Sequence, residues 1–278
     1  MTATTTTPPP TAEAASVPLV ASMRLGPMAA LRHTATLAWR SLVQIKHNPM
    51  ELLDLSVQPI MFLLLFTYVF GGAIAGSTGD YLQFSLPGLV VQNMLFATLT
   101  TAIGLNSDVT KGVFDRLRSL PIARSAPLAG RIVADTLKQV WAFALFLGLG
   151  MVLGFRVQTG VIGVVGALAL LLAFALGMSW LSVLIGLRAS SVEKVQIVAF
   201  SLMMPITFTS NAFVPTQTMP EWLQRWVEIN PVTHLADAVR GLLGGGPVAS
   251  SATASLLWAA GIAIVFAPLS IRAFRNHS

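Results

Sequence analysis

Long apolar runs alternate with short polar stretches along this chain. Six windows contain no Asp, Glu, Lys or Arg: Leu55–Gly79, Tyr81–Ser107, Gln139–Phe155, Val157–Leu187, Val195–Pro220 and Gly241–Ile271. A helix crossing the hydrocarbon core of a bilayer needs about 20 mainly apolar residues, and each window accommodates one such crossing. The spans are expected near 55–75, 84–106, 136–156, 163–187, 195–215 and 251–271. The third window is the shortest, and Lys138 at its edge snorkels toward the interface.

Three further segments have helical periodicity without the length to cross. In "MAALRHTATLAWRSLVQIKHN", Leu31, Ala35, Ala38, Leu42 and Ile45 form one stripe and Arg32, Thr36, Arg40 and Gln44 another. That is the pattern of a cationic helix lying in the membrane interface. In "MPEWLQRWVEINPVTHLADAVRGLLGGG", Trp222 and Trp226 stand four apart as interface anchors. Asn230-Pro231 then breaks the helix before Val232, Leu235, Val239 and Leu242 open a second apolar face. Residues 216–250 therefore read as an extracytoplasmic re-entrant helical hairpin. In the third segment, residues 108–121, Val113, Leu117 and Leu120 share one face among Asp108, Lys111, Asp115, Arg116 and Arg118, and Pro121 ends the helix. Gly112 marks a bend or a close backbone contact at the start of that helix, since glycine is costly inside one.

Composition fits the same picture. Hydrophobic residues make up 54% of the 278 and charged residues only 10%, against about 25% in soluble domains; the mean hydropathy is +0.73. The fold class is thus all-α, a polytopic membrane protein with six transmembrane helices, an N-terminal interfacial helix and the hairpin before the last span. Residues 1–27, rich in Thr and Pro, read as a disordered tail that cannot bury enough surface to offset its ordering entropy.

Charge sets the orientation. Of 17 lysines and arginines, only Arg156, Arg225 and Arg240 fall in one set of connecting segments; the others lie in the opposite set. Cytoplasmic loops collect Lys and Arg, so both termini and the largest basic loop, 107–135, are cytoplasmic. The net charge of +6 is spread over such loops rather than gathered on a face or arm, which argues against a nucleic-acid partner. With no cysteine, disulfides, thiol nucleophiles and Cys-based metal sites drop out.

Few motifs carry chemistry. No Gly-x-x-x-x-Gly-Lys-Ser/Thr run is present, so the sequence offers no P-loop phosphate cradle. His234 with Asp237 does not make a metal or acid-base site; Asp237 and Arg240, at i and i+3, read as a local ion pair. Asn93, Thr98, Thr100 and Thr101 in the second span, with Thr207, Thr209, Ser210 and Asn211 in the fifth, have two equal readings: the lining of a translocation route, or interhelical hydrogen bonds.

The layout resembles the membrane subunit of a type-2 ATP-binding-cassette (ABC-2) exporter, in particular the daunorubicin-resistance-type drug-efflux permeases, over residues 28–275. Four stretches carry the resemblance: "KHNPMELLDLSVQPIMFLLLFTYVFG", "TKGVFDRLRSLPIARSAPLAGRIVADTL", "RASSVEKVQIVAFSLMMPITFTSNAFVPTQTMPEWLQ" and "NPVTHLADAVRGLL". The second is similar to the family's Gly-x-x-(acid)-x-Leu-x-x-x-Pro motif, which falls here on Gly112, Asp115, Leu117 and Pro121, with Arg118 beside them.

The resemblance implies that this segment is a coupling helix seated in a groove of a cytoplasmic ATPase dimer, which holds ATP and magnesium; no cofactor is expected in this chain. It also implies pairing with a second permease, identical or a sister subunit, with spans two and five toward the shared axis, which favours Asn93, Thr98, Thr101, Thr207, Thr209 and Asn211 as path-lining groups. The expected activity is export of an amphipathic or hydrophobic drug, antibiotic or lipid across a prokaryotic inner membrane. An ion-coupled secondary transporter is the alternative; the uncharged spans offer no intramembrane ionisable group for it, though carbonyls and hydroxyls suffice for sodium.

Overall fold

In lipid, every backbone polar group must be satisfied within its own segment, which leaves helices as the only open-chain solution. The computed structural model, which describes residues 49–112 and 126–276, is accordingly all-helical, with no strand among the described residues. The expected N-terminal tail over 1–27, the expected interfacial helix over 28–48 and most of the expected coupling segment, at 113–125, lie outside those residues.

The chain runs α1 (Pro49–Leu65), a π-helical turn (Phe66–Phe70), α2 (Gly71–Ala75), α3 (Thr78–Thr110), α4 (Ala126–Val152), α5 (Gly160–Arg188), α6 (Val192–Phe208), a short 3-10 turn (Thr216–Thr218), α7 (Glu221–Ile229), α8 (Pro231–Gly244) and α9 (Ala249–Asn276). Starts and stops follow local chemistry. Ser77 caps α3 by accepting the Asp80 amide at 3.0 Å, Ser191 caps α6 by accepting that of Lys194, and Asn230 caps α8 through Oδ1 to the Val232 amide, with Pro231 in the first turn. Gly245, at φ 80°, closes α8.

Among the described residues, four stretches are long and apolar enough to cross a bilayer: Ser56–Ile74, Thr78–Thr110, Gly160–Arg188 and Ala249–Phe274. The other two expected spans are less emphatic. Asp135 and Lys138 dilute the first half of α4, and α6 is 17 residues long, with Pro205 in its last turn. The chain from Thr209 to Pro215 continues without helix, where the sequence pattern predicts a span to 215.

α3 is the axis of the bundle. Its apolar window is 67% buried, against 17% for that of α9, and α4, α5, α6 and α8 all pack on it. Small residues allow the closest approaches. A Cβ on Gly88 of α3 would lie 2.1 Å from the Ala212 carbonyl oxygen, and one on Gly186 of α5 2.6 Å from that of Ala102. α9 packs mainly along α5, where Gly177 meets the Ala259 backbone. α3 and α4 run antiparallel: Gly150 faces Leu86 at one end and Thr101 bonds Asp135 toward the other.

Candidate functional site

At the end of the bundle carrying Lys111, Lys138, Arg188 and Lys194, three helices are tied to one another. Asn106 of α3 is 2% exposed, and its Nδ2 donates to the carbonyls of Gly186 (2.9 Å) and Ala189 (2.7 Å). Those oxygens belong to the last turn of α5 and the residue that follows it, where the helix supplies no partners of its own, so Asn106 acts as a cap from a neighbouring helix. Thr101 donates to Asp135 Oδ2 at 2.8 Å and fixes the first half of α4 to the same part of α3.

α3 ends through the bonds of Lys111 N to Ser107 O (3.0 Å) and Gly112 N to Val109 O (3.1 Å). Gly112 adopts φ +62°, the left-handed conformation that glycine reaches without a Cβ clash, and so does not continue the right-handed helix. Of the five expected coupling residues, Gly112 is thus placed at the exit of α3; Asp115, Leu117, Arg118 and Pro121 lie outside the described residues.

Nearer the middle of α3, an open groove with about 520 Å³ of empty volume lies among α1, α3, α4 and α6. Its walls are aromatic: Phe62, Phe96, Phe146, Phe200 and Phe208, with Phe96 and Phe200 at a centroid distance of 5.6 Å. Three amides, Gln58, Gln92 and Asn93, interrupt the apolar lining. Such a surface takes a largely apolar, aromatic molecule and orients it through few hydrogen bonds.

The groove brings in one of the six expected path-lining residues, Asn93. Thr98 is buried and donates to Leu95 O within its own helix, and Thr101 holds Asp135. Thr207 is fully buried with its hydroxyl unpartnered. Thr209 bonds Pro205 O, a carbonyl in the last turn of α6, and accepts the Trp226 indole N–H at 2.7 Å. Thr100 turns outward to Ala97 O, and Ser210 donates to Thr207 O. Gln58 and Gln92 escaped the sequence reading, which weighed polar groups only in the second and fifth spans and passed over the glutamine beside Asn93; an amide inside an uncharged span was the available signal.

Asn211 belongs to a polar network at the opposite end of the bundle. Its Nδ2 donates to Asp237 Oδ1 at 2.9 Å, its own amide donates to Thr233 Oγ1, and Arg240 reaches both the Asn211 carbonyl (3.3 Å) and the Phe84 carbonyl (3.2 Å). Asp237 and Arg240 form the i, i+3 ion pair that their spacing predicts, and the guanidinium also lies 4.2 Å from the centre of the Phe84 ring. Burial pulls the Arg240 guanidinium below its ordinary value and the Asp237 carboxylate opposes that. Tyr81 donates to Phe213 O at 3.1 Å, and Asn230 Nδ2 to Ile206 O at 2.8 Å. The loop after α6 is thereby fastened to α3, α7 and α8. His234 joins no group of three or more potential metal ligands among the described residues.

Known proteins share this chain's sequence over most of its length. The model of the ABC-2 type transporter family matches residues 32–243. The daunorubicin resistance ABC transporter permease protein DrrB1 of Streptomyces coeruleorubidus is 43% identical over 90% of this chain and 88% of its own. The Mycobacterium tuberculosis protein named "Probable doxorubicin resistance ABC transporter permease protein DrrC" is 31% identical over 77% and 78% respectively. The doxorubicin resistance ABC transporter permease protein DrrB of the same organism is 24% identical over 70% of each chain. The central helix, its tied basic end and the aromatic groove are thus features of a chain that belongs to the ABC-2 type transporter family.

Proposed function

We propose that this chain is the motorless membrane subunit of an ATP-driven exporter, which pairs with a second permease and moves an amphipathic, largely apolar compound out of the cytoplasm or the inner leaflet. Six crossings of a prokaryotic inner membrane put both termini and residues 107–135 in the cytoplasm, with the α7–α8 hairpin on the far side. Gly112, Asp115, Leu117, Arg118 and Pro121 meet a cytoplasmic ATPase dimer, which holds ATP and Mg.

One observation carries the reading: α3 is a single 33-residue helix that lines the aromatic groove at Asn93 and Phe96 and ends at the basic loop. From Asn93 to Lys111 the helix extends about 27 Å at ~1.5 Å per residue. Force applied at Gly112 reaches the groove through one rigid element, and the Asn106 and Thr101 ties make α5 and α4 move with it. Rigid-body movement of packed helices is the kind of change an ATPase dimer can drive. The groove opens beside exposed apolar side chains of α1 and α6, among them Met61, Phe62, Phe200 and Met204, a surface for lipid or the second permease. Relatives are named for resistance to daunorubicin and doxorubicin, aromatic drugs suited to walls of this chemistry.

The test is drug export by cells expressing this chain with its ATPase. A lesion in the ATPase nucleotide site should abolish export while the proton gradient is intact. Undiminished export would favour an ion-coupled secondary transporter instead.

A further inference from the structure

Behind the groove, α3, α4 and α5 border a narrow cleft with room for about one water-sized group. Its walls are apolar except for two side chains, Asn93 and Gln139. Asn93 and Phe146 line both cavities, so the two volumes share a wall. Gln139 Oε1 is buried and has no hydrogen-bond partner. A buried acceptor left unpaired costs about 1–3 kcal/mol, so the cleft favours a group that donates to it.

The antiparallel register of α3 and α4 brings the two amides to within about one helical turn of each other, a gap their side chains span to line the same cleft. Thr101 bonds Asp135; one turn along α4 from Asp135 stands Gln139, and about two turns back along α3 from Thr101 stands Asn93. Two amides from different helices are therefore directed into one apolar space next to the aromatic groove.

We propose that Gln139 and Asn93 form a polar subsite that reads a single hydrogen-bond donor, a hydroxyl or an ammonium, on an aromatic compound held in the groove. The proposal rests on the reading of the groove as the cargo site. The orphan atom is an acceptor, so the group that completes it must donate, and Asn93 at the shared wall supplies the second contact. The ring system lies against the phenylalanines while one donor reaches past Phe146. Gln139 is on this account a specificity-determining residue, one that selects cargo and takes no part in the coupling to ATP.

Two fluorescent probes that differ in one donor separate these roles: 1-pyrenemethanol and 1-methylpyrene, titrated against the full chain in lipid nanodiscs, with empty nanodiscs subtracted. The alcohol should bind about tenfold more tightly, the scale of one well-made buried hydrogen bond. Gln139→Leu and Gln139→Met should both erase that preference and leave 1-methylpyrene binding unchanged. Phe200→Ala should weaken both probes alike. A preference for the alcohol that persists in both Gln139 variants, or equal binding of the two probes to the unaltered chain, overturns the subsite and leaves the groove reading standing. Binding of neither probe, or binding indifferent to Phe200→Ala, overturns the groove reading itself and the subsite with it.

Discussion

Asn106 of α3 donates a 2.9 Å hydrogen bond to the carbonyl of Gly186, in the last turn of α5. The same amide nitrogen holds Ala189 O at 2.7 Å, so one side chain serves two carbonyls at the α5 terminus. Since α3 and α5 are also in backbone contact at Ala102 and Gly186, their basic ends form one mechanical unit.

Asn106→Leu keeps the volume and removes both bonds. The uncapped carbonyls should cost about 1–3 kcal/mol, read as a lower midpoint in thermal unfolding of the purified chain. A midpoint equal to that of the unaltered protein would show that the tie contributes nothing.

Gly88 and Gly148 form a matched pair of tests for close packing. A Cβ at Gly88 would lie 2.1 Å from the Ala212 carbonyl oxygen, whereas one at Gly148 meets nothing within 4 Å. Gly88→Ala should therefore separate α3 from the loop after α6 and lower stability by about 1–3 kcal/mol, the usual cost of overpacking. Gly148→Ala should be neutral or stabilising by up to about 1 kcal/mol. Comparing thermal midpoints of the two variants decides the matter, and equal shifts would contradict the packing described here.

Arg240→Met should loosen the far end of the bundle. The side chain is 21% exposed and bridges Asp237, Phe84 O and Asn211 O. Because Asp237, at 37% exposure, keeps water and its bond to Asn211, the loss should stay near 1 kcal/mol rather than the larger cost of stranding a fully buried charge. Proteolysis of the loop 209–220 provides the readout: faster cleavage in Arg240→Met is expected, and an unchanged rate would show that the Arg240 contacts do not hold the loop.

Gly112, at φ +62°, makes a graded prediction. Asparagine visits the left-handed region with modest strain, while a β-branched residue there is costly by about 1–2 kcal/mol or more. Gly112→Val should cut export per ATP hydrolysed sharply while insertion and folding persist, and Gly112→Asn should cut it less. Equal coupling ratios in both variants would mean that the turn at the exit of α3 does not transmit force.

Much of this architecture was legible from particular residues. The uncharged run Tyr81–Ser107 marked α3, Asn230-Pro231 marked the junction of α7 and α8, Gly112 marked a bend, and the spacing of Asp237 and Arg240 foretold their pairing. Each is a local signal, a cap, a turn residue or a period. What the sequence hid depends on which helices become neighbours. Thr101 looked the same as Asn93, yet one faces Asp135 and the other the groove. The π turn at Phe66–Phe70 and the end of α6 at Phe208 also escaped: the first lies in an apolar run that does not reveal whether the backbone continues its helix, and the polar Thr209, Ser210 and Asn211 after the second were read as belonging to a continuing span. Gln139 was read only as the edge of a window, and its buried, unpartnered oxygen emerges once α3, α4 and α5 are packed together.

The central claim is that this chain carries no motor of its own and is moved through the end of α3. The most direct measurement is drug accumulation by proteoliposomes containing the purified chain, with and without its ATPase partner, in the presence and absence of ATP and Mg. Accumulation against the concentration gradient is expected only when the chain, the ATPase and ATP are present together. Uphill accumulation by vesicles holding this chain alone, without nucleotide, would contradict the account.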